Sequence, residues 1–160
     1  MSNKPNRHSD AKLQTASTHV EYEINMLCGV LAEYRAFCSV FDEENVRHRI
    51  ANNILVEAFL LHARNLHGFL FSSKKGDLIA ENFFDAPEEW ATVCPKELVF
   101  FGNSKNKQKI DRFLAHLTWD RITKAKPQWS FNEIGHDLAY AAEVLVREVK
   151  STRVCRTFAA

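Results

Sequence analysis

Asn53-Ile-Leu-Val-Glu-Ala-Phe-Leu-Leu-His-Ala-Arg-Asn-Leu66 is the stretch that decides the fold. On a helical wheel Ile54, Leu55, Val56, Ala58, Phe59, Leu61, Ala63 and Leu66, continued by Phe69 and Leu70, cover more than half the circumference. A helix that apolar meets neighbours on several sides, so the spacing predicts the central member of a bundle. It should run from about residue 43 to 71, opened by Asp42, whose side chain suits the exposed amides of a first turn together with Glu43 and Glu44. Arg49, Asn53, Glu57, Arg64 and His67 fill the remaining wedge. His62 and Asn65 fall inside the apolar arc, where each needs a hydrogen-bond partner: they join a buried polar network or orient an adjacent site group.

Working outward, Val20, Ile24, Leu27, Leu31, Tyr34 and Cys38 recur at steps of three and four and predict a preceding helix capped by Ser17 or Thr18. Residues 1–16 lack periodicity and read as a flexible tail. Downstream, residues 72–104 form a long connection with short helical turns packed by their aromatics, a length that suggests a functional or interface role. A third main helix over 104–119 has Ile110, Phe113, Leu114 and Leu117 as its core face. Ser130-Phe-Asn-Glu133 has the capping-box pattern and opens a fourth, with Ile134, Leu138, Ala141 and Leu145 as its stripe. The expected fold is all-α: a bundle of four main helices in one domain over residues 17–150, with a long, partly helical connection between the second and third and a C-terminal tail from 151 to 160.

Composition agrees. A chain of 160 residues with 46% hydrophobic and 26% charged residues fits one globular domain, and 5 Gly with 4 Pro are too few turn formers for a many-stranded sheet. No apolar run is long enough for a membrane span and the polar start lacks a secretory pattern, so a cytoplasmic chain with no membrane partner is expected. Cys28, Cys38, Cys94 and Cys155 contain no C-x-x-C pair; Cys28 and Cys38 read as buried thiols. Glu133-Ile-Gly-His136 is one Glu-x-x-His where a di-iron bundle needs two, and His-Glu-x-x-His does not occur, so no metal is expected. Without a Gly-rich phosphate loop or a Gly-x-Ser-x-Gly elbow, nucleotide-hydrolase and serine-hydrolase readings fall away and no cofactor is expected.

Net charge is +1, but its distribution is uneven. Lys105, Lys107, Lys109, Arg112, Arg121, Lys124 and Lys126 face only Asp111 and Asp120 between residues 105 and 126, giving that segment +5 and the remainder −4. Such a segment is either a solvated helix face or the dock for a phosphate-bearing partner. Lys105, Lys109, Arg112 and His116 fall within about 60° of one another on the third main helix. An imidazole that exchanges protons near neutral pH, one turn from a guanidinium that grips phosphate bidentately, is the minimum for metal-independent cleavage of RNA. On this reading His116 is the acid/base group and Arg112 or Lys109 the phosphate clamp. Lys105, Lys107 and Arg121 bind further phosphates, while Arg64, Asn65, His62 and Glu57 give support.

Glu57-Ala-Phe-Leu-Leu-His-Ala-Arg-Asn-Leu66 and Ala115-His-Leu-Thr-Trp-Asp-Arg121 resemble a group of uncharacterised bacterial helical proteins that carry Glu-x-Phe-x-x-His-Ala-Arg-Asn-Leu on one helix and Ala-His-Leu-Thr on a later one. More distantly, the layout is similar to the HEPN domains of prokaryotic defence and toxin systems, many of them ribonucleases. There, an Arg, four to six intervening residues and a His form a site shared across a dimer. His116 matches the His; Arg112 has three residues between, and Lys109, with six, is the in-register cation without the bidentate fork. The resemblance implies a homodimer, RNA as ligand, and a cognate antitoxin or operon partner. Two readings from other classes stand beside it: a non-catalytic interaction module whose His62, Asn65 and His116 form a buried network, and a small-molecule pocket between the second and third main helices.

Overall fold

Ser9, rather than Ser17 or Thr18, opens the first helix. Its hydroxyl accepts the Lys12 amide at 3.3 Å, and α1 runs Asp10–Cys38. The computed structural model describes residues 8–72, 74, 76–115, 127–155 and 157, and among them all regular structure is helical. Four further helices follow: α2 (Val46–Phe71), α3 (Pro87–Val93), α4 (Ser104–Ala115) and α5 (Phe131–Glu148). Single 3-10 turns stand at Ala80–Phe83 and Ser151–Arg153.

The segments expected as tails, as far as they are described, are partners of each other. Leu13 and Ser17 are buried on α1, so residues 10–16 belong to the helix. They are covered by residues 151–155. The Arg153 guanidinium, 4% exposed, reaches Asp10 at 2.9 Å and the Phe83 carbonyl at 2.8 Å, and it also pairs with Asp85. Thr152 donates to Asp10 at 2.7 Å, and the Cys155 amide donates to the Ser17 hydroxyl at 2.7 Å. Periodicity misses this because it reads apolar residues, and the clasp is polar.

At the start of α2, Asn45 is the cap, accepting from the Arg47 and His48 amides at 2.9 and 3.4 Å. Asp42 instead accepts from Glu44 within the turn before it, so the helix begins at Val46 and not near 43. α1 and α2 run antiparallel: Glu23 in the middle of α1 meets His62 in the second half of α2, and Phe37 at the end of α1 meets His48 at the start of α2. α2 touches α1, α4 and α5, the central place its apolar arc predicts. Its buried set is narrower than that arc, being Phe59, Leu60, His62, Ala63, Leu66, Phe69 and Leu70. Ile50, Ile54 and Leu61 stay exposed on the side no described helix covers.

Two smaller expectations fail locally. Ser130 precedes α5 with ψ 70°, outside the extended region that aims a cap hydroxyl at the first amides, and the capping box does not form. Cys28 and Cys38 are free but exposed, because Cys28 lies on the flank beside Leu27 and Cys38 sits in the last turn, past the buried stripe. The predicted core face of α5 holds, with Ile134, Leu138, Ala141 and Leu145 all buried. The connection is partly helical as expected. Trp90 of α3 anchors it, donating its indole N–H to the Leu70 carbonyl at 2.8 Å and stacking on Phe84. No helix among the described residues is long and apolar enough to cross a membrane.

Candidate functional site

The basic face of α4 divides into two groups. Lys105, Lys109 and Arg112 are exposed and share one stripe. Lys109 donates to the neutral Asn106 side chain at 3.1 Å, and among the described residues no carboxylate pairs with any of the three. Lys107 lies more than a third of a turn away from that stripe and faces α2. There its ammonium holds one oxygen of Asp111 at 2.6 Å while Arg64 of α2 holds the other at 2.8 Å. Partial burial pushes the Asp111 carboxyl up. The hydrogen bonds and charges of Lys107 and Arg64 outweigh that, and its pKa lies below the ordinary aspartate value. Asp111 is the one acidic residue of the described α4, so the helix face that looks outward keeps its positive charge.

His67 lines the same α2–α4 seam. Its imidazole is tilted between Phe71, with ring centroids 5.1 Å apart, and Phe101, at 4.5 Å. Burial in this aromatic cage, with the Lys107 charge adding to it and Asp111 opposing, drives its pKa down to about 4. The seam's geometry is fixed from α5. Asp137, 1% exposed, accepts the backbone amides of Val99, Phe100 and Phe101 at 2.8–3.0 Å and so sets the turn that delivers the Phe101 ring to His67. The turn closes on the Phe100 carbonyl, which accepts from Asn106 at 2.8 Å, and it needs Gly102, where a Cβ would overlap the Leu98 carbonyl oxygen.

His62 and Asn65 belong to a different face. His62 Nδ1 lies 2.7 Å from Glu23 of α1, and the Asn65 amide donates to both Glu23 oxygens at 3.3 Å. His62 is buried, Asn65 exposed, and the edge of Tyr22 closes over the imidazole. Of the expected supporting residues, Arg64 pairs with α4, His62 and Asn65 turn toward α1, and Glu57 is exposed two turns before Arg64 on the same face of α2. His116 and Arg121 lie outside the described residues.

Sequence reasoning passed over Glu23 and Asp137, although both carry the signal that singled out His62. Each is an ionisable residue inside an apolar arc, Glu23 falling between Leu27 and Val30 on the helical wheel and Asp137 between Ala141 and Val144. His67 gave no such signal, because Phe71 is its one aromatic neighbour on α2 and the second ring, Phe101, comes from the turn before α4.

A cavity of about 220 Å³ opens between the end of α2 and α3, not at the α2–α4 seam; it is lined by Leu70, Phe71, Trp90 and Cys94 with Glu81 and Lys96 at its polar side. Burial pushes the Cys94 thiol up to about 11, Lys96 opposing and Glu81 adding, which leaves it a poor nucleophile. Among the described residues no group of three or more His, Cys, Asp or Glu could hold a metal ion. No protein-family model, curated protein or solved structure matches the chain.

Proposed function

We propose that the chain is a HEPN-like helical bundle that binds RNA along α4 and cleaves it without a metal ion, as a component of a toxin or defence system acting as a homodimer with a cognate partner. What supports this reading most is the exposed stripe of Lys105, Lys109 and Arg112, left without a carboxylate among the described residues while Lys107 and Arg64 neutralise Asp111. Unpaired cations in a row attract a phosphate chain by releasing its counterions. In this mechanism His116 takes the proton of a 2′-hydroxyl, and the resulting oxygen attacks the adjacent phosphorus. Arg112 or Lys109 stabilises the phosphorane, and the 5′-oxygen leaves with a proton returned from the imidazole, leaving a 2′,3′-cyclic phosphate. Nothing in these steps calls for a metal, and cleavage should survive EDTA.

The test is incubation of the full chain with a short fluorescein-labelled oligouridylate, wild type beside His116→Ala. The expected result is cleavage to a cyclic-phosphate end by the wild type, loss of turnover in the variant and an unchanged Tm. A second reading draws on the Glu23–His62–Asn65 network: a non-catalytic interaction module whose helices are held in register by polar contacts. On that reading the oligonucleotide stays intact with both proteins, and His116→Ala, where it matters at all, lowers Tm.

A further inference from the structure

At about 220 Å³, the cavity between the end of α2 and α3 exceeds the space of about 150 Å³ that admits a benzene ring in a protein interior. Leu70 and Phe71 from the last turn of α2 and Trp90 from α3 give it an apolar wall. The Trp90 indole N–H is already committed to the Leu70 carbonyl at 2.8 Å, so this residue offers the cavity ring surface and no donor. Two opposite charges line its polar side. Glu81, from the 3-10 turn Ala80–Phe83, is half-buried, and Lys96, two residues past Cys94, is exposed. Among the described residues no ion pair or side-chain hydrogen bond holds either of them, to each other or to a third group. Both act on the Cys94 thiol, so both charges lie within electrostatic reach of one atom of the wall. A half-buried carboxylate loses part of its hydration, and here no donor replaces it. Phe71 ends α2 and Cys94 caps α3, so the negative ends of two helices also lie at this wall and favour an ammonium there.

From this arrangement we propose that the cavity binds a free amino acid with an apolar side chain, its ammonium on Glu81, its carboxylate on Lys96 and its side chain against Leu70, Phe71 and Trp90. A simple amine would satisfy Glu81 but meet Lys96 as a like charge, and a simple carboxylate would meet Glu81 and the helix ends in the same way. A zwitterion answers both. Cys94 stays a neutral thiol near pH 7, because burial has pushed it up to about 11, and it serves as wall rather than nucleophile. The site shares no residue with the α4 stripe and does not depend on the RNA-binding reading.

The experiment titrates the full chain with phenylalanine, phenethylamine and hydrocinnamate by isothermal titration calorimetry, using wild type, Glu81→Gln and Lys96→Met. The two analogues each keep the ring and one of the charges. Alkylation of Cys94 by iodoacetamide, followed by peptide mass, reports where the ligand sits. Phenylalanine should bind the wild type with a Kd on the order of 0.1 to 1 mM, the range of a small ligand in an open site. It should also slow alkylation of Cys94 and leave that of the exposed Cys28 unchanged. Each analogue should bind about two- to fivefold more weakly, the size of one charged contact at a partly exposed position. Glu81→Gln should weaken phenylalanine and phenethylamine by that factor and spare hydrocinnamate; Lys96→Met should weaken phenylalanine and hydrocinnamate and spare phenethylamine. Analogues that bind as tightly as phenylalanine, variants that bind all three like the wild type, or a Cys94 alkylation rate that phenylalanine does not change would each overturn the proposal. So would a wild type that takes up none of the three.

Discussion

Arg64 and Asp111 meet at 2.8 Å across the α2–α4 seam, the one ion pair described between these two helices, and the bond decides how much of the local positive charge is free. Asp111 also accepts from Lys107 at 2.6 Å, so a single carboxylate occupies two cations. Asp111→Asn releases both. Oligonucleotide affinity should rise by about two- to fivefold at low salt, with a steeper salt dependence as the added charge meets phosphate. Because all three side chains are partly exposed, the stability cost should stay below about 1 kcal/mol. Anisotropy titrations at several salt concentrations, beside urea unfolding, check both. Weaker binding in Asp111→Asn would mean that the carboxylate positions the cations instead of masking them.

Asp137 carries the largest structural debt. Its carboxyl is the described acceptor for the side-chain bonds of three consecutive amides, and it is almost fully enclosed. Asp137→Ala strands those donors and leaves a small cavity, at a cost of about 3 kcal/mol or more. Asp137→Asn keeps one acceptor oxygen but turns an amide toward N–H groups, and should recover less than half of that. Urea unfolding gives the two values. Because the same turn holds Phe101 against His67, near-ultraviolet circular dichroism of Asp137→Asn should also change.

How far the sequence reached follows from what carries each element. Helices with wide apolar stripes were legible, and α5 keeps every core residue its spacing predicts, because burial of a stripe is a local pattern. Residues 10–16 offer only Leu13 and Ala16 in phase with the Val20 and Leu27 stripe, and the polar partners of Asp10, Thr152 and Arg153, lie at the other end of the chain. The polar site residues were half legible. His62 announces itself inside an apolar arc, but that its partner is Glu23 depends on the antiparallel register of α1 and α2, which no spacing within either helix encodes. The stripe of Lys105, Lys109 and Arg112 follows from a count of residues; its separation from Lys107 is a matter of which side α2 approaches.

The Glu23–His62 bond should behave as a register lock. His62→Ala leaves Glu23 with only the longer Asn65 contacts and opens a void beside Tyr22, so a loss of about 1 to 3 kcal/mol is expected. Glu23→Gln retains an acceptor and should cost less. A double-mutant cycle by urea unfolding would give a coupling energy of about 1 kcal/mol if the two groups act as a pair, and about zero if each packs independently. Oligonucleotide affinity should not move in either variant, since this network faces α1.

His67 sets the last expectation, a component of stability that varies with pH. In the folded chain its pKa is about 4, against an ordinary 6.5 for an exposed imidazole. Between those values the unfolded chain takes up a proton that the folded chain refuses, so unfolding is favoured progressively as pH falls from about 6.5 to about 4, and the effect is flat outside that window. Partial exposure of the ring trims the size to about 2 kcal/mol. Asp111 lies on the other side of this window: its pKa, already below the ordinary aspartate value, makes its stabilising contribution present above that value and lost only in stronger acid. His67→Phe removes the imidazole component, and its urea midpoint should fall less steeply than that of the wild type from pH 6.5 to 4. Parallel curves for the two proteins would show that the Phe71–Phe101 cage opens to let the imidazole protonate in the folded state.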